Sequence, residues 1–256
     1  MTEYGLQMYS VRDLAKEDLR AALKEVALLG YKYIEFAGFF DNTAEDVKMW
    51  LDEFGLICSG THTSIADLAP EKIEKTIEFH KIIGCDNIIV PGMKHEDDDV
   101  LDLQIARLNY AHKVLKANGI RLGYHNHSKE FWPNFSGKIV EDEIIGRTSV
   151  EIEVDTFWAY NAGIDVLSFL NESKDRISVI HLKDGLLTRV EDRLYEQKLP
   201  HSGATGKSLG QGEAPVTLFR RWALDNGVRM VVESEGLDPT GIEEVGRCME
   251  FLRSLD

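Results

Sequence analysis

Short runs of apolar, β-branched and aromatic residues alternate along this chain with longer stretches whose apolar positions recur at helical spacing. The first strand is predicted at Tyr4–Met8 and its helix at about Glu17–Leu29. Within that helix Leu19, Ala22, Leu23, Val26 and Leu29 fall on one face, and Gly30 suits a C-cap. Further strands are predicted at Tyr33–Phe36, Ile57–Thr61, Asn87–Val90, Arg121–His125, Val150–Val154, Ile177–His181 and Met230–Ser234. The intervening helices are Ala44–Phe54, stopped by Gly55, one beginning near Pro70, and Asp98–Ala117, closed by Asn118-Gly119. A weaker stretch at Lys138–Ile145, a short one at Val166–Leu170 and a last helix at Ile242–Leu255 complete the pattern.

Eight strands separated by helices imply parallel pairing through right-handed crossovers. Eight such units in 256 residues favour a closed (β/α)₈ TIM barrel, an α/β fold, over an open doubly wound sheet. The first turn reads LQMYSVRD, without the phosphate-binding glycines an open dinucleotide fold carries there. No composition shift marks a boundary, so residues 1–256 are expected to form one domain, with Gly185–Pro215 as a loop over the rim.

Composition adds exclusions. A net charge of -15 argues against nucleic acid and anionic membranes as partners. Three widely spaced cysteines, Cys58, Cys85 and Cys248, point to a reducing compartment. The opening MTEYGLQMYS carries no secretion signal, and no apolar run is long enough to span a membrane, so a cytoplasmic location is expected. Association into a homo-oligomer is left open.

Catalytic groups of such barrels sit at the C-terminal ends of strands. Here those ends hold Glu35, His62, the run His125-Asn126-His127, Glu153 and Asp155, His181, and Glu233 and Glu235. His125, Asp155, His181 and Glu233 lie at equivalent depths on neighbouring strands, close enough to converge on one point. Two imidazoles and two carboxylates suit one divalent ion: Mn²⁺, Zn²⁺, Co²⁺ or Mg²⁺. Strand parity alone does not decide between His125 and His127.

Four stretches together resemble the xylose isomerase-like barrel superfamily, which includes sugar epimerases, hydroxypyruvate isomerase, inosose dehydratase and endonuclease IV. They are YHNHSKEF (Tyr124–Phe131), EVDTFWAYNAG (Glu153–Gly163), HLKD (His181–Asp184) and VVESE (Val231–Glu235), and the run LGQGEAPV (Leu209–Val216) is a fifth shared feature. The resemblance implies that Asp155, His181 and Glu233 are metal ligands, and it favours His125 over His127 as the fourth. Two departures stand out. Ketose epimerases of this group place a glutamate on the fifth strand where this chain has His125, and a histidine where it has Trp158. The His-Asn-His variant is closer to the inosose dehydratase branch.

The resemblance implies a metal-dependent isomerase or epimerase that removes a proton alpha to the carbonyl of a ketose or keto-sugar. The alternative is a lyase or dehydratase acting on an inosose or a 3-keto-sugar or glycoside, which shares the first step. An endonuclease IV-like nuclease is disfavoured by the acidity and by Trp158, and a metal-free binding barrel by the intact ligand set. Glu233 is the first choice for the base, His125 or His127 the second, and Lys183 is expected to bind a substrate oxygen. Glu35, His62, Glu130, Trp132 and Trp158 are expected to touch the sugar. His80, His95, His112 and His201 are given no role.

Overall fold

The computed structural model of the protein describes residues 2–187 and 205–256. Eight parallel strands close into a barrel: β1 (Gly5–Gln7), β2 (Tyr33–Phe36), β3 (Ile57–His62), β4 (Asn87–Val90), β5 (Arg121–His125), β6 (Glu151–Asp155), β7 (Ile177–Leu182) and, last in the chain, β10 (Arg229–Val232). β10 lies between β7 and β1, which shuts the cylinder and leaves no open edge. Around it run α1 (Arg12–Glu17), α2 (Leu19–Leu29), α3 (Ala44–Phe54), α4 (Ile73–Ile83), α5 (Asp98–Ala117), α6 (Val140–Arg147), α7 (Thr156–Asn161), α8 (Val166–Glu172), α9 (Val216–Asn226) and α10 (Gly241–Ser254). This is the predicted TIM barrel, a single domain. Among the described residues no helix is long and apolar enough to cross a membrane.

Local chemistry explains the element ends. Asp18, Thr43, Asp97, Asp165 and Thr240 accept backbone N–H bonds at the starts of α2, α3, α5, α8 and α10. Gly30, Gly55, Gly84 and Gly227 close α2, α3, α4 and α9 in the left-handed conformation that glycine adopts without strain. The boundaries shift where the side chains compete. The predicted first helix breaks at Asp18, whose extended backbone (φ -153°) caps the second segment. Met8 leaves the first strand for a 3₁₀ turn, Met8–Val11. The helix expected near Pro70 starts at Ile73, after a 3₁₀ turn at Ile65–Leu68.

Three further features complete the fold. α7 follows β6 directly, because Asp155 accepts the N–H of Trp158 and caps it. α9 packs Phe219, Trp222 and Ala223 into the core. The predicted rim loop begins and ends in a small antiparallel pair, β8 (Asp184–Leu186) with β9 (Thr205–Lys207); residues 188–204, including His201, lie outside the described residues.

Asp184 anchors the returning half of that segment. Its buried carboxylate accepts the backbone N–H groups of Gly185, Gly210, Gly212 and Ala214 at 2.9–3.0 Å. The approach is so close that a Cβ on Gly212 would lie 2.2 Å from Asp184 Oδ1, so only glycine fits there. Four donors lose their acceptor in Asp184→Ala. That substitution is expected to cost about 3 kcal/mol, read as a loss of stability in urea denaturation.

Glu141, on α6, is a second buried carboxyl, and neither of its oxygens has a hydrogen-bond partner. Burial, reinforced by Glu130 and Asp142, pushes its pKa up from 4.5 to about 8. Folding therefore takes up a proton, and stability falls as pH rises from the ordinary 4.5 to about 8. Glu141→Gln removes this penalty. The stability of that variant relative to wild type is expected to improve by a few kcal/mol between pH 5 and pH 8, on the order of 3. Parallel urea melts at the two pH values check it, and a difference that does not change with pH would refute it.

Candidate active site

Strand stagger brings the polar residues together at one end of the barrel. Asp155 on β6 is in register with His181 on β7, and His125 on β5 with Glu153 on β6. Glu233 follows β10 directly and donates its N–H to the Leu182 carbonyl; Val231 is the residue in register with His181, so Glu233 stands two residues further up, beside Lys183. Residues two apart on a strand share a face. Glu153 therefore lies one layer below Asp155, and Lys183 one layer above His181. The result is a shaft of ionisable groups, nearly all fully buried.

The upper group is His125, Asp155, His181 and Glu233, whose ligand-type atoms all lie within 4.8 Å of one another. His127 is not in it; its ring centroid is 5.0 Å from that of His125. Asp155 is held from three directions. Its Oδ1 accepts from Trp158 N at 2.8 Å, and the Asn126 side chain bonds both its N–H and its carbonyl. Its Oδ2 accepts no hydrogen bond, and neither ring nitrogen of His125 makes one, although Oδ2 and His125 Nε2 face each other at 3.7 Å. Buried polar atoms left unpaired carry a substantial cost unless something completes them. Two imidazoles and two carboxylates are a donor set for one divalent cation, which would replace the proton on His181 Nδ1.

The charges are set by neighbours. Burial lowers the His125 pKa to about 3, with the nearby His181 and His62 adding to the fall, so its ring is neutral at pH 7. Burial also takes His127 down to about 4. His181 goes the other way: burial opposes its charge, but Glu153 and Glu35 outweigh that and hold it well above the usual imidazole range. For Glu233, Lys183 and His181 overcome the burial term and keep the carboxylate ionised. Asp155 is pushed up by burial, with Lys183 pulling against the rise.

Lys183 is 1% exposed. Its Nζ lies 2.6 Å from Glu235 Oε1, 3.3 Å from Glu233 Oε2, 3.8 Å from Asp155 Oδ2 and 4.5 Å above the Trp158 ring. Those carboxylates more than offset burial and keep it cationic.

The remaining predicted contacts separate into two sets. His62 and Trp158 line the shaft: the His62 ring stacks on His181 at 5.5 Å, and Trp158 faces His127 at 5.9 Å. Glu35 is fully buried beneath them, against His62 and His181. Glu130 and Trp132 are engaged in the loop after β5. Glu130 accepts from Tyr124 Oη and from His127 N, and Trp132 donates its indole N–H to the Ala162 carbonyl. The residue that sequence reasoning passed over is Glu153, noted at a strand end but given no role. Its spacing of two from Asp155 was the available signal.

Residues 23–255 match the family described as xylose isomerase-like TIM barrel, and the chain belongs to that family. A 2-oxo-tetronate isomerase of Haemophilus influenzae is 26% identical over 162 residues, which cover 53% of this chain and 62% of that protein. The chain thus matches somewhat less than two thirds of the length of this curated relative. A sugar phosphate isomerase/epimerase from Parabacteroides distasonis superposes with a TM-score of 0.75 at 23% identity, covering 98% of this chain and 93% of the other. A probable 3-DHS dehydratase from Bacillus anthracis superposes at 0.76 and 12% identity, covering 98% and 99%. At these identities the two structures speak for the fold.

Proposed function

We propose that this member of the xylose isomerase-like TIM barrel family is a divalent-metal-dependent isomerase or epimerase of a ketose or keto-sugar. The observation that carries the reading is the upper group: Asp155 Oδ2 and both His125 nitrogens, buried and without hydrogen bonds, gathered with His181 and Glu233. These four residues would hold the ion, with Mn²⁺, Co²⁺, Zn²⁺ and Mg²⁺ the candidates. When bound, the ion supplies Lewis-acid polarisation of a substrate carbonyl.

The chain's own residues supply the rest. Glu233 is ionised, as a base must be before it takes a proton from the carbon alpha to the carbonyl. Neutral His127, with its Nδ1 unpaired, is the second proton carrier. Return of the proton to the opposite face of the same carbon gives an epimer, and return to the neighbouring carbon an isomer. Lys183 is a fixed cation beside Glu233, able to hold a substrate oxygen as negative charge grows on it. The walls of the shaft at Trp158 and His62 offer ring faces and edges to a sugar. Similarity to the 2-oxo-tetronate isomerase supports the isomerase class.

A panel of ketoses and keto-acids, assayed in D₂O with EDTA-treated protein and added Mn²⁺ or Co²⁺, tests the reading. Interconverted sugars carrying deuterium alpha to the carbonyl are expected, with no turnover before metal is restored. Elimination products without interconversion would replace it with the lyase reading.

Two variants separate the roles. Glu233→Gln is expected to lower kcat by about 10³-fold or more and to weaken metal binding. Lys183→Met is expected to lower kcat/KM by about 10²-fold while metal binding persists. Steady-state kinetics with parallel metal titrations check both.

A further inference from the structure

A second set of ligand-type atoms lies beneath the upper group, formed by His62, His125, Glu153 and His181. Its donor types suit a cation as well as the upper set does. Its hydrogen bonding differs. His62 Nε2 lies 2.8 Å from Glu153 Oε1 and 3.2 Å from Glu35 Oε1. His181 Nε2 lies 2.8 Å from the same Glu35 oxygen and 3.1 Å from the same Glu153 oxygen. Two nitrogens and two oxygens thus form a closed four-membered ring of contacts in which each nitrogen faces two acceptors. Glu35 Oε1 also accepts from Gln7 Nε2 at 2.7 Å. Glu35 Oε2 and Glu153 Oε2 have no hydrogen bond, but an ion reaching His62 and His181 there would have to displace the protons that make this ring, whereas Asp155 Oδ2 above it has no hydrogen bond to lose.

The backbone is built around the two carboxylates. The β2–β3 register shifts between Ile34 and Glu35, and the β6–β7 register between Ile152 and Glu153, so each glutamate stands beside an extra residue of the partner strand, Ser59 on β3 and Ser178 on β7. Bulges re-aim the side chains beside them. Gly60 leaves the space that Glu35 fills: a Cβ there would lie 3.0 Å from Glu35 Oε2 and 2.8 Å from Ile89 Cδ1.

We propose that Glu35 and Glu153 are positioning residues that together hold the Nε2–H of His181, turning its Nδ1 toward Asp155 and Glu233, and that the ring they close excludes a second ion from the lower layer. His181 Nδ1 lies 3.2 Å from Glu233 Oε2 and 3.9 Å from Asp155 Oδ2, the orientation this requires. A carboxylate that fixes the far nitrogen of a ligating histidine sets its tautomer, and losing one weakens metal binding by roughly 10–100-fold. The metal-binding half rests on the reading of the upper group as a cation site; the hydrogen-bond half does not.

The test has two arms, both on the full chain. In metal-free protein labelled with ¹⁵N-histidine, NMR should show a slowly exchanging, downfield His181 Hε2 proton. It should persist in Asp155→Asn and move upfield in the double variant Glu35→Gln/Glu153→Gln, whose amide oxygens accept only as neutral partners. Its absence from the wild type overturns the assignment of Nε2. Calorimetric titration with Mn²⁺ alone should give one ion per chain, and Glu35→Gln and Glu153→Gln should each raise Kd by roughly 10–100-fold. Thermal melts of the metal-free variants identify any loss of folding, and the wild-type arms decide without them. Two ions per chain, or Kd values within about twofold of wild type in both folded variants, overturn the proposal. A wild-type chain that binds no Mn²⁺ refutes the cation site, while the proton resonance still decides whether the glutamates hold His181.

Discussion

One imidazole, that of His181, joins everything at the catalytic end of this barrel. Each of its ring nitrogens faces carboxylates: Glu35 and Glu153 on one side, Glu233 and Asp155 on the other. Four acids cannot be carried into a closed cylinder unless their charge is met there, since desolvation of an isolated carboxylate costs more than the fold has to give. His181 and His62 meet the lower pair, and Lys183 partly meets the upper. The barrel thus tolerates its acidic shaft because cationic groups run through it in alternation with the acids.

The tetrapeptide HLKD shows how little sequence this takes. Strand alternation gives successive residues different faces. His181 and Lys183 meet the shaft, Leu182 is buried in the core, and Asp184 binds the backbone of the Gly210–Ala214 turn. The charge of the site and the anchoring of the rim are therefore coupled through adjacent residues of one strand end. Glu235 adds a further link, since it pairs with Lys183 through its side chain while its carbonyl accepts from Arg12. That contact ties α1 to the segment that follows β10.

Much of this was legible in the chain alone. The alternation of periods gave the eight strands and the barrel, because burial on a parallel strand and on a helix face leaves different spacings. The order His125, Asp155, His181, Glu233 at strand ends was legible for the same reason: depth in a barrel follows position on the strand. What stayed hidden depends on register. Two bulges shift Glu35 and Glu153 relative to their neighbours, and no local pattern announces a bulge in a parallel pair. Glu35 consequently lies beneath the histidines. Glu130 and Trp132 lie on a loop whose bonds to Tyr124, His127 and Ala162 are tertiary and leave no trace in spacing. α7 was missed because its cap, Asp155, reads equally well as the end of a strand.

Depth also divides what the residues can do. In the lower layer one oxygen of each glutamate is already paired with the facing nitrogens of His62 and His181, while Glu35 Oε2 and Glu153 Oε2 have no hydrogen bond. In the layer above, His125 and one oxygen of Asp155 are held in place by the scaffold but left without hydrogen bonds. Preorganised and incomplete is the state that favours binding, because the cost of ordering was met when the chain folded. On the proposed function, reactivity belongs to the upper layer and to Lys183 and His127 around it. Differences between isomerisation, epimerisation and elimination must arise there, among groups that reach the substrate, and not in the buried ring that aims His181.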